Sequence, residues 1–371
     1  MIHVHVKVEK SIKNVVGRKK MNTVIKRLDN SNIDKSVIKE AAGILLKGGL
    51  VAFPTETVYG LGANGLSSDA CKKIYSAKGR PSDNPLILHI GKIEQLEQII
   101  LEITPLAKKV IEAFWPGPVT LVFKKKICIP NSVTGGLNTV GVRFPSNIIA
   151  QELIKEAGFP IAAPSANSSG KPSPTKASHV EYDLSGKIEM ILDGGATDFG
   201  LESTIVDVTG DKAVILRPGA ITFEMLEDLL GYVELDPSIN AKSIEGFIPK
   251  APGMKYTHYS PKADVTLVKG DMLKVVKKIN SMAQEASFNG LKTGVLATEE
   301  TKGMYVADII LSVGDGNDKL KIGANLFGAL RKFDFLGIDV VYSEVFDEKG
   351  EGFAIMNRLN KAAGYKCIEV R

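Results

Sequence analysis

At 371 residues the chain is long enough for two domains, each able to bury a core of its own. Its apolar fraction of 44% and charged fraction of 24% are ordinary for a globular protein, and a net charge of +5 suits anionic ligands without requiring them. Three scattered cysteines (Cys71, Cys128, Cys367) argue against a disulfide framework or a cysteine-rich metal site, and the chain lacks both a run near the roughly 20 apolar residues of a membrane span and a signal-peptide core, so a cytoplasmic protein is expected.

Much of the positive excess sits early: Lys7, Lys10, Lys13, Arg18, Lys19, Lys20, Lys26 and Arg27 face only Glu9. Met21 reads as an alternative start, which makes 1–20 an N-terminal extension, and His3 and His5 within it are read as incidental. Val37, Ile38, Ala41, Ala42, Ile44 and Leu45 recur at helical spacing, and Gly48-Gly49 stops that helix. A short buried strand is expected at 50–53. Further strands are expected at 86–90, 120–123, 140–144, 161–163, 190–192, 204–208 and 214–216, with helices near 69–77, 92–101, 104–113 and 147–157 among them. This pattern predicts one α/β domain over 21–235, a sheet with flanking helices. The composition shifts over 236–262, a linker that holds Tyr256, His258 and Tyr259. Beyond it, strands at 265–268, 293–297, 309–313 and 340–345 alternate with helices beginning near 272, 320 and 351. That alternation predicts a smaller parallel α/β domain over 263–371.

Gly60-Leu61-Gly62-Ala63-Asn64-Gly65 matches G-x-G-x-x-G, but Thr55 to Tyr59 separate it from the preceding strand and no acidic residue closes a strand about 20 positions on. A glycine-rich turn beside a ligand is the preferred reading. No P-loop, H-E-x-x-H or G-x-S-x-G is present, so P-loop NTPase, zinc hydrolase and serine hydrolase readings have no support.

Lys78 and Arg80 lie two apart, and Pro81 biases Arg80 toward extended backbone, so both cations are expected to point to one side, as a polyphosphate site requires. A solvated basic turn is the plain alternative. His89 ends an apolar strand and reads either as a core histidine or as a contact to a small ligand. Arg143 also ends one; buried, it needs a structural carboxylate or the carboxylate of an amino-acid substrate. Pro164-Ser165-Ala166-Asn167 is a tight polar turn, Glu202-Ser203-Thr204 opens another strand, and Arg217-Pro218-Gly219 repeats a cation before proline.

Taken together, Phe53-Pro54-Thr55-Glu56-Thr57-Val58-Tyr59-Gly60-Leu61, Lys78-Gly79-Arg80-Pro81, Asn84-Pro85-Leu86 and Pro164-Ser165-Ala166-Asn167 closely resemble the YrdC-like domain. Trp115-Pro116-Gly117-Pro118, Ser203-Thr204-Ile205, Leu216-Arg217-Pro218-Gly219, Lys255-Tyr256-Thr257-His258-Tyr259 and Gly352-Phe353-Ala354-Ile355-Met356-Asn357-Arg358 extend the likeness to the long, two-domain form of the threonylcarbamoyl-AMP synthase family over 22–371. The resemblance implies a YrdC-like twisted mixed sheet, then a C-terminal Rossmann-like parallel α/β domain. It implies a nucleotidyltransferase that joins L-threonine, bicarbonate and ATP, releases pyrophosphate, and serves a transferase partner that modifies tRNA. By motif position it implies Thr55, His89, Arg143, Ala163 and Ser203 around threonine. It likewise implies Lys78, Arg80, Thr139, Ser165, Asn167, Ser173, Arg217 and Tyr256 around ATP, with Lys78 and Arg80 as the catalytic cations and Mg2+ carried on the nucleotide without a protein ligand. The linker is expected to fold over the site as a lid. Two other readings are a carbamoyl-adenylate former of the hydrogenase-maturation type, whose zinc-finger module the cysteine count excludes, and a double-stranded RNA or tRNA binder without turnover.

Overall fold

The computed structural model describes residues 21–240, 249–254 and 258–371. Strand β1 (Val24–Arg27) leads into helix α1 (Lys35–Leu46), capped by Asp34 and buried along Ile38, Ala41, Ala42 and Leu45. Next come β2 (Val51–Phe53), β3 (Gly60–Asn64), α2 (Ser68–Lys78), β4 (Ile87–His89), α3 (Glu94–Ile99) and α4 (Pro105–Phe114). Then follow β5 (Val119–Lys124), α5 (Asn131–Thr134), β6 (Thr139–Arg143), α6 (Ile148–Ala157), β7 (Ile161–Ala162) and α7 (Ala177–Leu184). The first domain closes with β8 (Met190–Asp193), β9 (Thr204–Asp207), β10 (Ala213–Arg217), α8 (Phe223–Leu230) and β11 (Val233–Leu235).

These strands form one mixed sheet in the order β1-β8-β2-β3-β7-β4-β6-β5-β9-β10-β11. The pairing registers matter for function. β4 runs parallel to β6 with His89 opposite Arg143, and β5 runs antiparallel to β6 with Thr120 opposite Arg143. Side chains from three strands therefore meet in one row across the sheet.

The second domain contains β12 (Asp264–Gly270), α9 (Met272–Phe288), β13 (Thr293–Ala297), β14 (Ile309–Ser312), α10 (Lys319–Leu336), β15 (Val340–Glu344), α11 (Glu351–Ala362) and β16 (Cys367–Val370). Its sheet, in the order β14-β13-β15-β12-β16, is parallel throughout, the expected Rossmann-like arrangement. The two domains share apolar packing: Val58 and Leu201 of the first lie in one core cluster with Phe327, Leu326 and Ile355 of the second. Among the described residues, no helix is long and apolar enough to cross a membrane.

Two expectations about local backbone are corrected. Gly60 to Asn64 is not a turn but the interior strand β3, antiparallel to both β2 and β7. Its glycines reflect crowding: a Cβ at Gly62 would lie 2.9 Å from both the Phe53 ring and Ile161. Nor do Lys78 and Arg80 share an extended segment. Lys78 is the last residue of α2, and Gly79 caps that helix in the left-handed conformation (φ 63°), so the two cations leave the backbone in different directions.

Candidate active site

A cleft in the first domain is lined by Thr55, Arg80, His89, Arg143, Ala163, Ser165, Asn167, Ser173, Ser203 and Arg217. Every described residue that the motifs suggested lines it except Lys78 and Thr139. Thr139 lines a small neighbouring cavity that shares Ile87 and Pro252 with the cleft, and Tyr256 lies outside the described residues. A larger cavity of about 590 Å³ lies between α7 and α10; it meets the cleft only at Lys171 and holds none of the suggested residues.

The strand row builds one end of the cleft. Thr55 Oγ donates to the Val58 carbonyl at 2.6 Å and accepts from the Thr57 and Val58 N–H groups, which locks the loop after β2. Arg143 Nη1 donates to Thr57 Oγ at 2.8 Å, while its Nη2 lies 2.7 Å from Glu56 Oε1, an ion pair without hydrogen-bond alignment. Both partners are almost wholly buried. Of the two alternatives open for Arg143, the structural carboxylate is thus present, and it is Glu56. The His89 ring packs edge-on against Phe53, and its Nδ1 lies 3.2 Å from the Ile87 carbonyl, which can only accept, so Nδ1 carries the hydrogen. Burial first, and then the Arg143 charge, push its pKa down to about 3, so the ring is neutral. Ser203 Oγ shares a 2.7 Å hydrogen bond with Thr120 Oγ.

The other end is built from the polar turn and two arginines. Lys78 is buried beneath the turn, its Nζ donating to the Ser165 carbonyl, the Asn167 carbonyl and Asn167 Oδ1. Three acceptors take all three N–H groups of an ammonium ion. Burial, and then the Arg80 charge, drive its pKa well below the ordinary lysine value. Ser165 Oγ donates to the same Asn167 Oδ1 at 2.6 Å. Arg80 is held by the Asn84 and Pro85 carbonyls at 3.3 and 2.9 Å. Arg217 donates through Nε and Nη2 to the Ser203 carbonyl at 3.1 and 2.9 Å. Burial lowers the pKa of each arginine to about 10, which leaves both charged at neutral pH.

Several residues here escaped the sequence reading. Glu56 and Thr57 orient Arg143, whereas His258 and Tyr259, which the linker was expected to carry over the site, do line the cleft, with Pro252 and Gly253. Glu202 accepts from Ser173 Oγ and pairs with Arg358 of α11 at 2.9 Å. A charged residue inside an apolar helix face, as Arg358 is between Ile355, Met356 and Leu359, was the signal available. With the linker over it the cleft encloses about 60 Å³, far below the roughly 300 Å³ at the small end of ligand pockets. Among the described residues no side chain in the cleft is set up as a covalent nucleophile; its character is cationic, with hydroxyls placed between fixed charges.

The Sua5/YciO/YrdC family model, described as telomere recombination, matches residues 43–219, and a model described as threonylcarbamoyl-AMP synthase, C-terminal domain, matches residues 221–364. A threonylcarbamoyl-AMP synthase of Pyrococcus abyssi is 49% identical over 91% of this chain and 97% of its own length. Its counterpart in Bacillus subtilis is 47% identical over 92% and 96%. The crystal structure of Pyrococcus abyssi Sua5 complexed with L-threonine superposes with a TM-score of 0.89 at 48% identity, covering 94% of this chain and all of that one.

Proposed function

The chain belongs to the threonylcarbamoyl-AMP synthase family, and from that premise we propose that it condenses L-threonine, bicarbonate and ATP into threonylcarbamoyl-AMP and pyrophosphate, acting as a nucleotidyltransferase. Family membership displaces the reading of an RNA binder without turnover. The observation that carries the proposal is the gathering of Arg80, Arg143 and Arg217 with the hydroxyls of Thr55, Ser165, Ser173 and Ser203 around one cleft.

Threonine takes the end formed by the strand row. Its carboxylate faces Arg143, whose guanidinium Glu56 and Thr57 hold in place, and neutral His89, Ser203, Thr55 and the backbone at Ala163 surround the rest. ATP takes the other end, against Arg80, Arg217, Ser165 and Ser173, with Asn167 and Lys78 stiffening the turn behind it and Thr139 and Tyr256 as outer contacts. First the threonine amine nitrogen bonds to the carbon of bicarbonate, a carbon–oxygen bond breaks, and the hydroxide so released leaves as water with the proton that the nitrogen gives up. A carbamate oxygen then attacks the α-phosphorus, the bond from that phosphorus to the oxygen bridging to the β-phosphate breaks, and pyrophosphate leaves with the electron pair. Fixed guanidinium groups in a buried cleft stabilise the charge that builds on the leaving group, and the hydroxyls keep the attack in line.

Magnesium, in this reading, arrives on the triphosphate and adds charge neutralisation; among the described residues no three His, Cys, Asp or Glu side chains group to hold a metal ion. The linker acts as the lid, since the cleft beneath Pro252, Gly253, His258 and Tyr259 is too small for the nucleotide until they move. The enzyme works in the cytoplasm and passes its product to a threonylcarbamoyl-transferase partner that modifies tRNA, with tRNA itself a further candidate ligand. The test is pyrophosphate release, expected only when threonine, bicarbonate, magnesium and ATP are all present. Release at the same rate without threonine would overturn the assignment.

A further inference from the structure

Two arginines of the second domain reach the back of the cleft. Arg331 on α10 is 8% exposed, and its Nη2 donates to the Pro172 carbonyl at 2.6 Å and to Asp183 Oδ2 at 2.8 Å. Asp183 in turn accepts from Lys171 Nζ at 2.9 Å and from the Ser168 N–H at 3.3 Å. Arg358 on α11 is wholly buried. Its Nε donates to Glu202 Oε2 and its Nη2 to the Pro218 carbonyl, both at 2.9 Å, and the remaining nitrogen meets Asn357 Oδ1 at 3.0 Å. The other oxygen of Glu202 accepts from Ser173 Oγ.

The geometry points to Arg331 and Arg358 as positioning residues for the nucleotide: from the second domain they fix Pro172 and Ser173 on one side of the cleft and Pro218, next to Arg217, on the other. Arg331 takes the carbonyl of the residue before Ser173, and Arg358 takes, through Glu202, the Ser173 hydroxyl itself. The segment between Asn167 and Ser173 is thus tied at one end to Lys78 and at the other to a different domain. A buried ion pair adds little stability over a well-packed apolar contact, so two of them at this boundary need another reason. What a guanidinium supplies is direction, because its planar fork fixes the oxygens that it meets. In these terms the second domain, which holds none of the cleft's motifs, supplies the framework on which the ATP half is aligned.

This inference rests on Ser173 and Arg217 contacting ATP, and the experiment separates the two ideas. The full-length protein is compared with Ser173→Ala, Arg358→Gln, the charge-free double variant Glu202→Gln/Arg358→Gln and its counterpart Asp183→Asn/Arg331→Gln. The measurements are KM for ATP, kcat, threonine affinity by calorimetry without ATP, and thermal unfolding. Ser173→Ala is expected to raise KM for ATP; if it does not, the assignment of Ser173 fails and takes the inference with it. Arg358→Gln leaves Glu202 buried and unpaired and is expected to lose stability as well. Glu202→Gln/Arg358→Gln removes that charge and is expected to recover melting temperature, Asp183→Asn/Arg331→Gln is expected to melt near wild type, and in both KM for ATP is raised by about tenfold while threonine affinity moves by less than about twofold. A double variant in which ATP KM returns to wild type along with stability would show that the arginines only hold the domains together, and would overturn the proposal.

Discussion

Lys78→Met asks whether a buried cation serves the nucleotide directly or serves the wall behind it. Methionine keeps the length and flexibility of the lysine stem but has no donors. The Ser165 carbonyl, the Asn167 carbonyl and Asn167 Oδ1 would each lose a partner. A buried acceptor left unpaired costs about 1–3 kcal/mol. Asn167 Oδ1 keeps the Ser165 hydroxyl, the Ser165 carbonyl is only partly buried, and a buried ammonium no longer needs to be desolvated, so part of the sum is offset. The expected net loss is about 3 kcal/mol, roughly a hundredfold in the ratio of folded to unfolded chain. Urea unfolding, followed by the fluorescence of the single tryptophan, Trp115, reads this as a lower midpoint at unchanged slope. The turn carrying Ser165 would loosen with it, so KM for ATP should rise while threonine affinity, built at the opposite end of the cleft, holds. Wild-type stability combined with lost ATP turnover would refute the argument, because it would mean that Lys78 leaves the turn and contacts the phosphates itself.

Gly62→Ala places a methyl 2.9 Å from two side chains, Phe53 and Ile161, that are themselves wholly buried and have nowhere to go; a loss of about 1–3 kcal/mol in chemical denaturation is expected, and an unchanged midpoint would show that the sheet can yield at β3. Lys361 on α11 donates to the Gly253 carbonyl in the linker, and burial, followed by the charges of Arg358 and Arg217, lowers its pKa to about 7 from the ordinary 10.5. Between those values the unfolded chain binds the proton that the folded protein has lost, so wild-type stability should rise with pH relative to Lys361→Met, most visibly when urea midpoints at about pH 6 and about pH 9.5 are compared. A pH-independent difference between the two proteins would show that Lys361 stays charged.

The alternation of strands and helices was readable because a side chain's period reports which face is buried: Thr293–Ala297 and the helix faces of α9 and α10 follow directly from apolar spacing. β3 escaped because glycines carry no side-chain period, and three glycines in a row of six read as a turn. β16 escaped because its residues alternate between exposed and half-buried, leaving no apolar run to detect. At the site, the cations, hydroxyls and histidine were legible as residue types, and most line one cleft. Their restraints were not. Glu56 holding Arg143 joins the loop after β2 to β6 across 87 positions, and Arg358 meeting Glu202 joins residues 156 positions apart. Neither pairing leaves a local mark. Lys78 departs from extended backbone for a simpler reason: Gly79 ends a helix there, and that local signal outweighs the pull of Pro81 on its neighbour.

That separation of 156 residues between Arg358 and Glu202 also bears on how the protein comes into being. The strand row proposed for threonine is complete once β9 has been synthesised, but the end proposed for the nucleotide still lacks α10 and α11, which leave the ribosome much later. Contacts between distant stretches of chain form slowly, since a long loop must close before they can be made. On the roles proposed above, synthesis therefore delivers the residues of the amino-acid end before those that align the nucleotide, and the power to make an adenylate waits for the last helices of the chain.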